Sequence, residues 1–125
     1  MDGPLADYTI TTWNESDGLP AGRIRAIAQD PDGYLWIATD AGLVRFDGVR
    51  FVTWSALGET RMHAGAVTTL ISARDRSLWI GVSGRVPLGR IQDGKLTLYG
   101  ERDGFAGGSY TLSLLEDHEG RIWVG

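Results

Sequence analysis

The chain has 125 residues, 12 of them basic and 16 acidic, a net charge of −4 and no cysteine. The absence of cysteine excludes disulfide scaffolds, thiolate metal sites and cysteine nucleophiles, and the acidic balance argues against general nucleic-acid binding. No apolar run reaches the ~20 residues of a membrane span and the start lacks a signal-peptide pattern, so we expect no membrane insertion by this chain.

A tryptophan phrase recurs three times along the chain. Trp36, Trp79 and Trp123 lie 43 and 44 residues apart, within the similar hexapeptides 33–38, 76–81 and 120–125. Apolar and β-branched runs separated by turn residues surround each phrase, which predicts four short strands in every period. A four-stranded meander repeated every 40 to 50 residues is typical of a β-propeller blade. The three tryptophans are therefore predicted to be mostly buried on equivalent second strands.

The predicted elements follow one another within a single domain, residues 1–125. Residues 8–13 resemble residues 50–54, which predicts an isolated fourth strand. A complete blade is predicted over 24–54, a second over 66–99, and the first half of a further blade over 110–125. Asp47-Gly48 and Asp93-Gly94 predict two-residue hairpin turns. The fold class predicted is all-β, with antiparallel four-stranded blades in a partial propeller of roughly two and three-quarter blades.

Several phrases resemble a known family, the two-component regulator propeller repeat. The matching residues are Gly18-Leu19-Pro20, 27–30, 33–39, Gly42-Leu43, and 45–48 with Phe51. The second period departs from the pattern, because Ala73 and Arg76 replace the aspartate and glycine of the first turn and residues 83–88 replace a Thr-x-x-Gly-Leu phrase.

The resemblance implies a sensor-region propeller of a bacterial hybrid histidine kinase or related signalling protein, located in the periplasm. Kinase phosphoacceptor and ATP-binding phrases are absent from the sequence, so we expect no enzyme activity in this chain. An arc of this length is also too short for the four or more blades of a closed propeller. The sequence thus predicts a fragment of a larger propeller that self-associates through its open ends, with residues 8–13 completing the blade begun by 110–125.

Candidate binding residues come from the geometry of a propeller. The linkers entering each blade and the connections between second and third strands share one face, which we call the loop face. Trp13 and Trp54 end fourth strands, where either could face a ligand. The loop-face candidates for binding a small molecule or glycan are Arg23, Asp40, Arg61, His63 and Arg85.

No cofactor or metal site is predicted. Asp30-Pro31-Asp32-Gly33 opens like a calcium loop, but the later ligands do not follow, and a turn explains it better. His63 and His118 lack partners at ligand spacing. Two alternatives to a non-catalytic sensor stay open, a propeller-type lyase or glycosidase fragment and a purely structural protein-interaction propeller. Three or more carboxylates, or both histidines, converging at the channel mouth would favour the enzyme.

Overall fold

The structure of the chain, a computed structural model, describes residues 9–54, 66–83, 86–105, 111 and 113–125. These residues form ten strands in three antiparallel sheets, and two single 3₁₀ turns at Glu15–Asp17 and Glu101–Asp103. The prediction of an all-β fold is confirmed. In the described part of the chain, no helix has the length and apolar character needed to cross a membrane. The predicted positions Tyr8, Arg61, His63 and Arg85 lie outside the described residues.

Two sheets are complete four-stranded meanders and the third has two strands. In all three, consecutive strands pair in sequence order. Blade 1 consists of β1 (Ile24–Gln29), β2 (Leu35–Thr39), β3 (Gly42–Phe46) and β4 (Phe51–Thr53). Blade 2 consists of β5 (Val67–Ser72), β6 (Leu78–Val82), β7 (Leu88–Gln92) and β8 (Lys95–Tyr99). Blade 3 consists of β9 (Leu114–Glu116) and β10 (Ile122–Val124).

The main hydrophobic core lies between blades 1 and 2. Strand alternation places Trp36, Ala38 and Leu43 on the side of blade 1 that meets blade 2. The opposite side of blade 2 packs against these residues, through Leu70, Leu78, Ile80, Ile91 and Leu96. The first strands of the blades lie side by side, β1 against β5 and β5 against β9, as expected for strands that surround a propeller axis.

A smaller apolar cluster covers the other side of blade 1. Ile37, Val44 and Phe46 are buried there, with Leu19 and Phe51 packed against them. Trp13 closes the cluster through an edge contact with Phe46, the ring centroids being 4.9 Å apart. The segment that precedes blade 1 therefore covers part of this apolar cluster through Trp13.

Residues 8–13 do not form the predicted strand, as far as they are described. Residues 9–13 carry no strand pairing, and Trp13 packs on Phe46 and Phe51 instead. A fourth strand needs the exposed edge of a third strand, and β10, the outer strand of blade 3, pairs only with β9. The sequence pattern of a fourth strand is present, but its pairing edge is missing from the described residues.

The turn at Asp47 is longer than predicted, whereas the turn at Asp93 is confirmed. Gln92 pairs with Lys95 across Asp93-Gly94, both at positive φ, as a two-residue hairpin requires. In blade 1 Phe46 pairs with Phe51, which leaves four residues in the loop. The Asp47 carboxylate accepts the amides of residues 49 and 50, each at 2.8 Å. The stacked rings of Phe46 and Phe51, 4.3 Å apart, favour this register.

The turn between first and second strands keeps one geometry in all three blades. One residue in each blade closes the turn, because its amide donates one backbone hydrogen bond and its carbonyl accepts another. These residues are Asp30, Ala73 and Asp117, and the donor to acceptor distances lie between 2.8 and 3.1 Å. Blade 2 reaches this geometry without glycine, because Arg76 takes the left-handed conformation at φ 72°. The departure of the second repeat therefore changes its side chains and leaves the turn intact.

Candidate functional site

The loop face has two described candidates, and they are neighbours. The Asp40 amide donates to the Arg23 carbonyl at 3.1 Å, and the Arg23 amide donates to the Asp40 carboxylate at 3.3 Å. The other oxygen of Asp40 pairs with the Arg25 guanidinium at 2.8 Å, which lowers the pKa of Asp40. Asp40 thus ties the linker to the connection after β2, and a ligand contact at Arg23 and Asp40 stays a prediction.

The repeated tryptophan is fixed by a repeated aspartate in blades 1 and 3. The indole Nε1 of Trp36 donates to Asp30, and that of Trp123 donates to Asp117, both at 2.8 Å. Blade 2 has Ala73 at this place, and the buried Nε1 of Trp79 has no acceptor there or elsewhere among the described residues. The repeated spacing of the tryptophan phrase therefore places a hydrogen bond from the second strand to the preceding turn in two of the three copies.

The three tryptophans are buried to different degrees, because the next blade covers each of them to a different extent. Trp36 is 5% exposed, as predicted, because blade 2 lies over it. Trp79 is half-buried and stacks on Tyr99. Trp123 is 58% exposed, so the prediction of a mostly buried residue is wrong for it. No described residue lies beyond blade 3 to cover that ring.

A groove runs along the boundary between blades 1 and 2, at the end opposite the loop face. It has a volume of about 360 Å³ and is lined by side chains of both blades. Antiparallel meanders place the β1–β2 and β7–β8 turns at this same end, which brings Asp32 and Asp93 to its rim. Tyr34 and Trp54 supply aromatic surface and Arg45 supplies a guanidinium.

Arg45 lies over two aromatic rings of blade 1. Its guanidinium lies 4.3 Å from the ring centroid of Tyr34 and 5.9 Å from that of Trp36, which is cation–π geometry. It is half-buried, and within the described ranges no carboxylate pairs with it. Arg90, at the same place in blade 2, binds Asp75 at 2.7 Å. Arg45 thus keeps its planar set of N–H donors available on the groove.

Asp30 and Asp32, two of the three aspartates that line the groove, are already engaged. Asp30 accepts the amides of residues 32 and 34 through one oxygen and the Trp36 indole through the other. Asp32 pairs with Arg76 of blade 2 at 3.5 Å. The bonds to Asp30 lie within blade 1, and the exposed pair of Asp32 and Arg76 crosses the boundary to blade 2. No group of three or more potential metal ligands occurs in the part of the chain that the structure describes.

The sequence did not single out Tyr34, Arg45 or Arg76 as groove residues. The loop face was predicted because the linkers into each blade and the connections between second and third strands share one face of a propeller. The groove forms instead at the tight turns and from strand side chains. Arg45 lies directly opposite Trp36 across β2 and β3. That pairing depends on the register of the two strands, so it could be recognised only once the register was known. Trp54 was named as a residue that could face a ligand, and it does line the groove.

Acid should destabilise the chain through the aspartates that the fold binds as carboxylates. The pKa of Asp117 falls from 3.8 to about 2, chiefly because its carboxylate accepts the Trp123 indole, with Arg121 adding to the effect. A lowered pKa means stability that is present above pH 4 and is lost as the pH falls through 2. Thermal unfolding followed by circular dichroism should show a falling midpoint between pH 4 and 2. The fall should be smaller in Asp117→Asn, and an unchanged slope would contradict this account.

The comparisons with known proteins agree with the propeller architecture. Residues 18–41 and 104–125 match the model of the Two component regulator propeller family. The unmatched stretch includes blade 2, which carries Ala73 and Arg76 in place of the repeat's aspartate and glycine. The chain therefore consists of β-propeller blades. More narrowly, residues 18–41 and 104–125 match the two-component regulator propeller repeat, so the resemblance seen in the sequence is confirmed for these two stretches.

One solved structure supports the same fold. The crystal structure of the extracellular domain of a hybrid two component system from B. thetaiotaomicron has a TM-score of 0.70 and 19% sequence identity. The match covers 93% of this chain and 16% of that one. None of the curated proteins matches the sequence. The low identity makes this likeness evidence for the fold alone.

Proposed function

We propose that the chain is a ligand-recognising sensor module from the extracytoplasmic part of a bacterial two-component signalling protein, and that it is not itself an enzyme. The family repeats support the signalling context. The similar structure from B. thetaiotaomicron is an extracellular domain, which is in keeping with an extracytoplasmic position, and a periplasmic position is part of the proposal. The output activity would belong to another part of the signalling protein.

The observation that carries the proposal is the unpaired guanidinium of Arg45 in the groove between the blades. A cleft of about 360 Å³ is within the range of small-molecule sites, which combine aromatic walls with a few oriented polar groups. The rings of Tyr34 and Trp54 provide the walls. The Arg45 donors suit a planar carboxylate, because a guanidinium fork binds one through two parallel hydrogen bonds. The ligand class that fits is a small molecule or glycan bearing a carboxylate.

Two of the three aspartates that line the groove, Asp30 and Asp32, are not available for acid or base catalysis. A general acid or base needs a carboxyl group that is free to exchange protons with a substrate. Both oxygens of Asp30 accept hydrogen bonds from the protein, and Asp32 is paired with Arg76. The alternative of a lyase or glycosidase therefore draws no support from these two aspartates.

Titration calorimetry with an acidic and a neutral oligosaccharide of equal length tests the proposal. Uronic-acid oligomers should bind, neutral oligomers should bind at least tenfold more weakly, and Arg45→Gln should remove the difference. Arg50→Gln is the matched control, because Arg50 is exposed on the β3–β4 loop away from the groove. Equal binding by Arg45→Gln would contradict the site, and bond cleavage in the recovered oligomers would contradict the non-catalytic role.

A further inference from the structure

Blade 2 departs from the other two blades at Arg76, in the turn between its first and second strands. The other blades have glycine at this place, Gly33 at φ 92° and Gly120 at φ 83°. Arg76 takes the same left-handed conformation at φ 72°, which side chains other than those of asparagine and aspartate rarely adopt. The backbone of the turn therefore favours glycine, and what arginine adds at this place is its side chain.

The Arg76 side chain reaches across the blade boundary to Asp32. Its Nη2 lies 3.5 Å from the Asp32 Oδ1. Both residues line the groove that contains Arg45. Among the described residues, no other cation pairs with the Asp32 carboxylate. The pair therefore directs this carboxylate toward blade 2.

Blade 2 shows how the equivalent aspartate behaves without such an arginine. Asp75 corresponds to Asp32, since each directly precedes the left-handed residue of its turn. Arg90 corresponds to Arg45, since each pairs with the second-strand tryptophan of its blade. The turn of the next blade there has glycine, Gly120, and Asp75 binds Arg90 of its own blade at 2.7 Å. The aspartate thus pairs with the third-strand arginine where the neighbouring turn supplies no guanidinium.

The Tyr34 ring leaves the same pairing open to Arg45. The guanidinium lies over this ring, 4.3 Å from its centroid. A ring contacts the face of a guanidinium, whereas the N–H donors point outward in the guanidinium plane. Arg90 lies over the Trp79 ring at 5.3 Å and still binds Asp75. The edge of Arg45 can therefore accept one carboxylate, either that of a ligand or that of the nearby aspartate.

We propose that Arg76 is a positioning residue of the groove. By pairing with Asp32, it keeps that carboxylate away from Arg45 and leaves the Arg45 donors for the carboxylate of the ligand. This inference rests on the proposed function, since the ligand is the one proposed for the groove. Without Arg76, Asp32 competes with the ligand for Arg45, and as a group of the same chain it does so at a high effective concentration.

Titration calorimetry with uronic-acid oligomers tests this role on the 125-residue chain. Arg76→Gly gives the turn the glycine of the other blades, so its backbone is relieved of strain while the guanidinium is lost. The dissociation constant should rise about tenfold, as expected if Asp32 leaves only about a tenth of the molecules with Arg45 free. The double variant Arg76→Gly with Asp32→Asn should bind like the unchanged chain, because the competing carboxylate is gone.

Arg74→Gln is the matched control. Arg74 lies in the same turn and also pairs across a blade boundary, with Glu116 of blade 3 at 3.1 Å, but it does not line the groove. This variant should bind the oligomers like the unchanged chain.

A measurement without ligand separates this inference from the proposed function. The Arg45 Nε–Hε signal in proton–nitrogen NMR spectra, assigned with Arg45→Gln, should move in Arg76→Gly, because a charge-assisted hydrogen bond forms. It should return in the double variant. If the unchanged chain binds no acidic oligomer, the proposed function fails, and the NMR signal still decides whether Arg76 keeps Asp32 from Arg45.

Two results would overturn the inference. Unchanged affinity and an unmoved Arg45 signal in Arg76→Gly would mean that Asp32 does not compete for the guanidinium. A loss of affinity that Asp32→Asn fails to restore would mean that Arg76 contacts the ligand itself.

Discussion

Replacing Trp36 by alanine should lower the free energy of unfolding by about 3–5 kcal/mol, as for other large core aromatic residues. Trp36 is 5% exposed and packs at the boundary between blades 1 and 2. Its indole Nε1 donates a hydrogen bond to the Asp30 carboxylate. Trp123→Ala removes the same side chain from the same repeat position and should cost about 1 kcal/mol or less, because most of that ring is already in water. Urea unfolding followed by circular dichroism gives both values.

The pair of variants separates repeat position from burial. If the tryptophan stabilises each blade from within its own strands, the two substitutions should have similar costs. If it acts through the neighbouring blade, the cost at Trp36 should be several-fold larger. Equal midpoints for Trp36→Ala and the unchanged chain would mean that the core between blades 1 and 2 contributes little to stability.

This difference also shows how far the sequence could predict the fold. The spacing of Trp36, Trp79 and Trp123 is a property of one blade, and it predicted their common place on second strands. Their burial is a property of two adjacent blades, and it varies because Trp123 has no described neighbour on its outer side. Local patterns predict pairing within a meander, whereas exposure depends on what packs against the meander.

The candidate site was harder to predict for the same reason. Residues of the loop face could be grouped from topology alone, but Arg45 and Tyr34 meet only because β2 and β3 have a particular register. The register of β3 and β4 is a second case, because it depends on the stacked pair Phe46 and Phe51 and on a four-residue loop. The two-residue turn predicted at Asp47-Gly48 would have paired Phe46 with Val49. The Asp-Gly signal therefore gave the location of the turn without its length.

One position near the propeller axis depends on matched side-chain sizes in the first and second strands. Blade 1 pairs Ala26 with Ala38 at this position, and blade 2 pairs Thr69 with Gly81. A Cβ built on Gly81 would lie 2.6 Å from the Thr69 Cγ2 and 3.0 Å from the Thr111 Cγ2 of the next blade. Blade 2 thus has a larger side chain on its first strand and no side chain on its second, whereas blade 1 has a small side chain on each.

Gly81→Ala should therefore destabilise the chain by about 1–3 kcal/mol, the usual cost of overpacking a well-packed core. The backbone conformation at Gly81 does not require glycine, because its φ is not positive. The cost must then come from contact with Thr69, Thr111 and the hydroxyl of Thr68, which donates to the Thr111 carbonyl across the blade boundary. Urea unfolding measures the change, with Gly81→Ser as a second variant of similar size.

The double variant Thr69→Ala with Gly81→Ala recreates the alanine pair of blade 1 and is the decisive control. Removing the Thr69 Cγ2 takes away the shortest of the three contacts, so the double variant should be more stable than the sum of the two single changes predicts. Contacting residues commonly show interaction energies of about 0.5–3 kcal/mol. Strict additivity would mean that the clash is relieved by movement of the blades, and that Gly81 sets the distance between blades 2 and 3 through Thr111 rather than through its own strand pair.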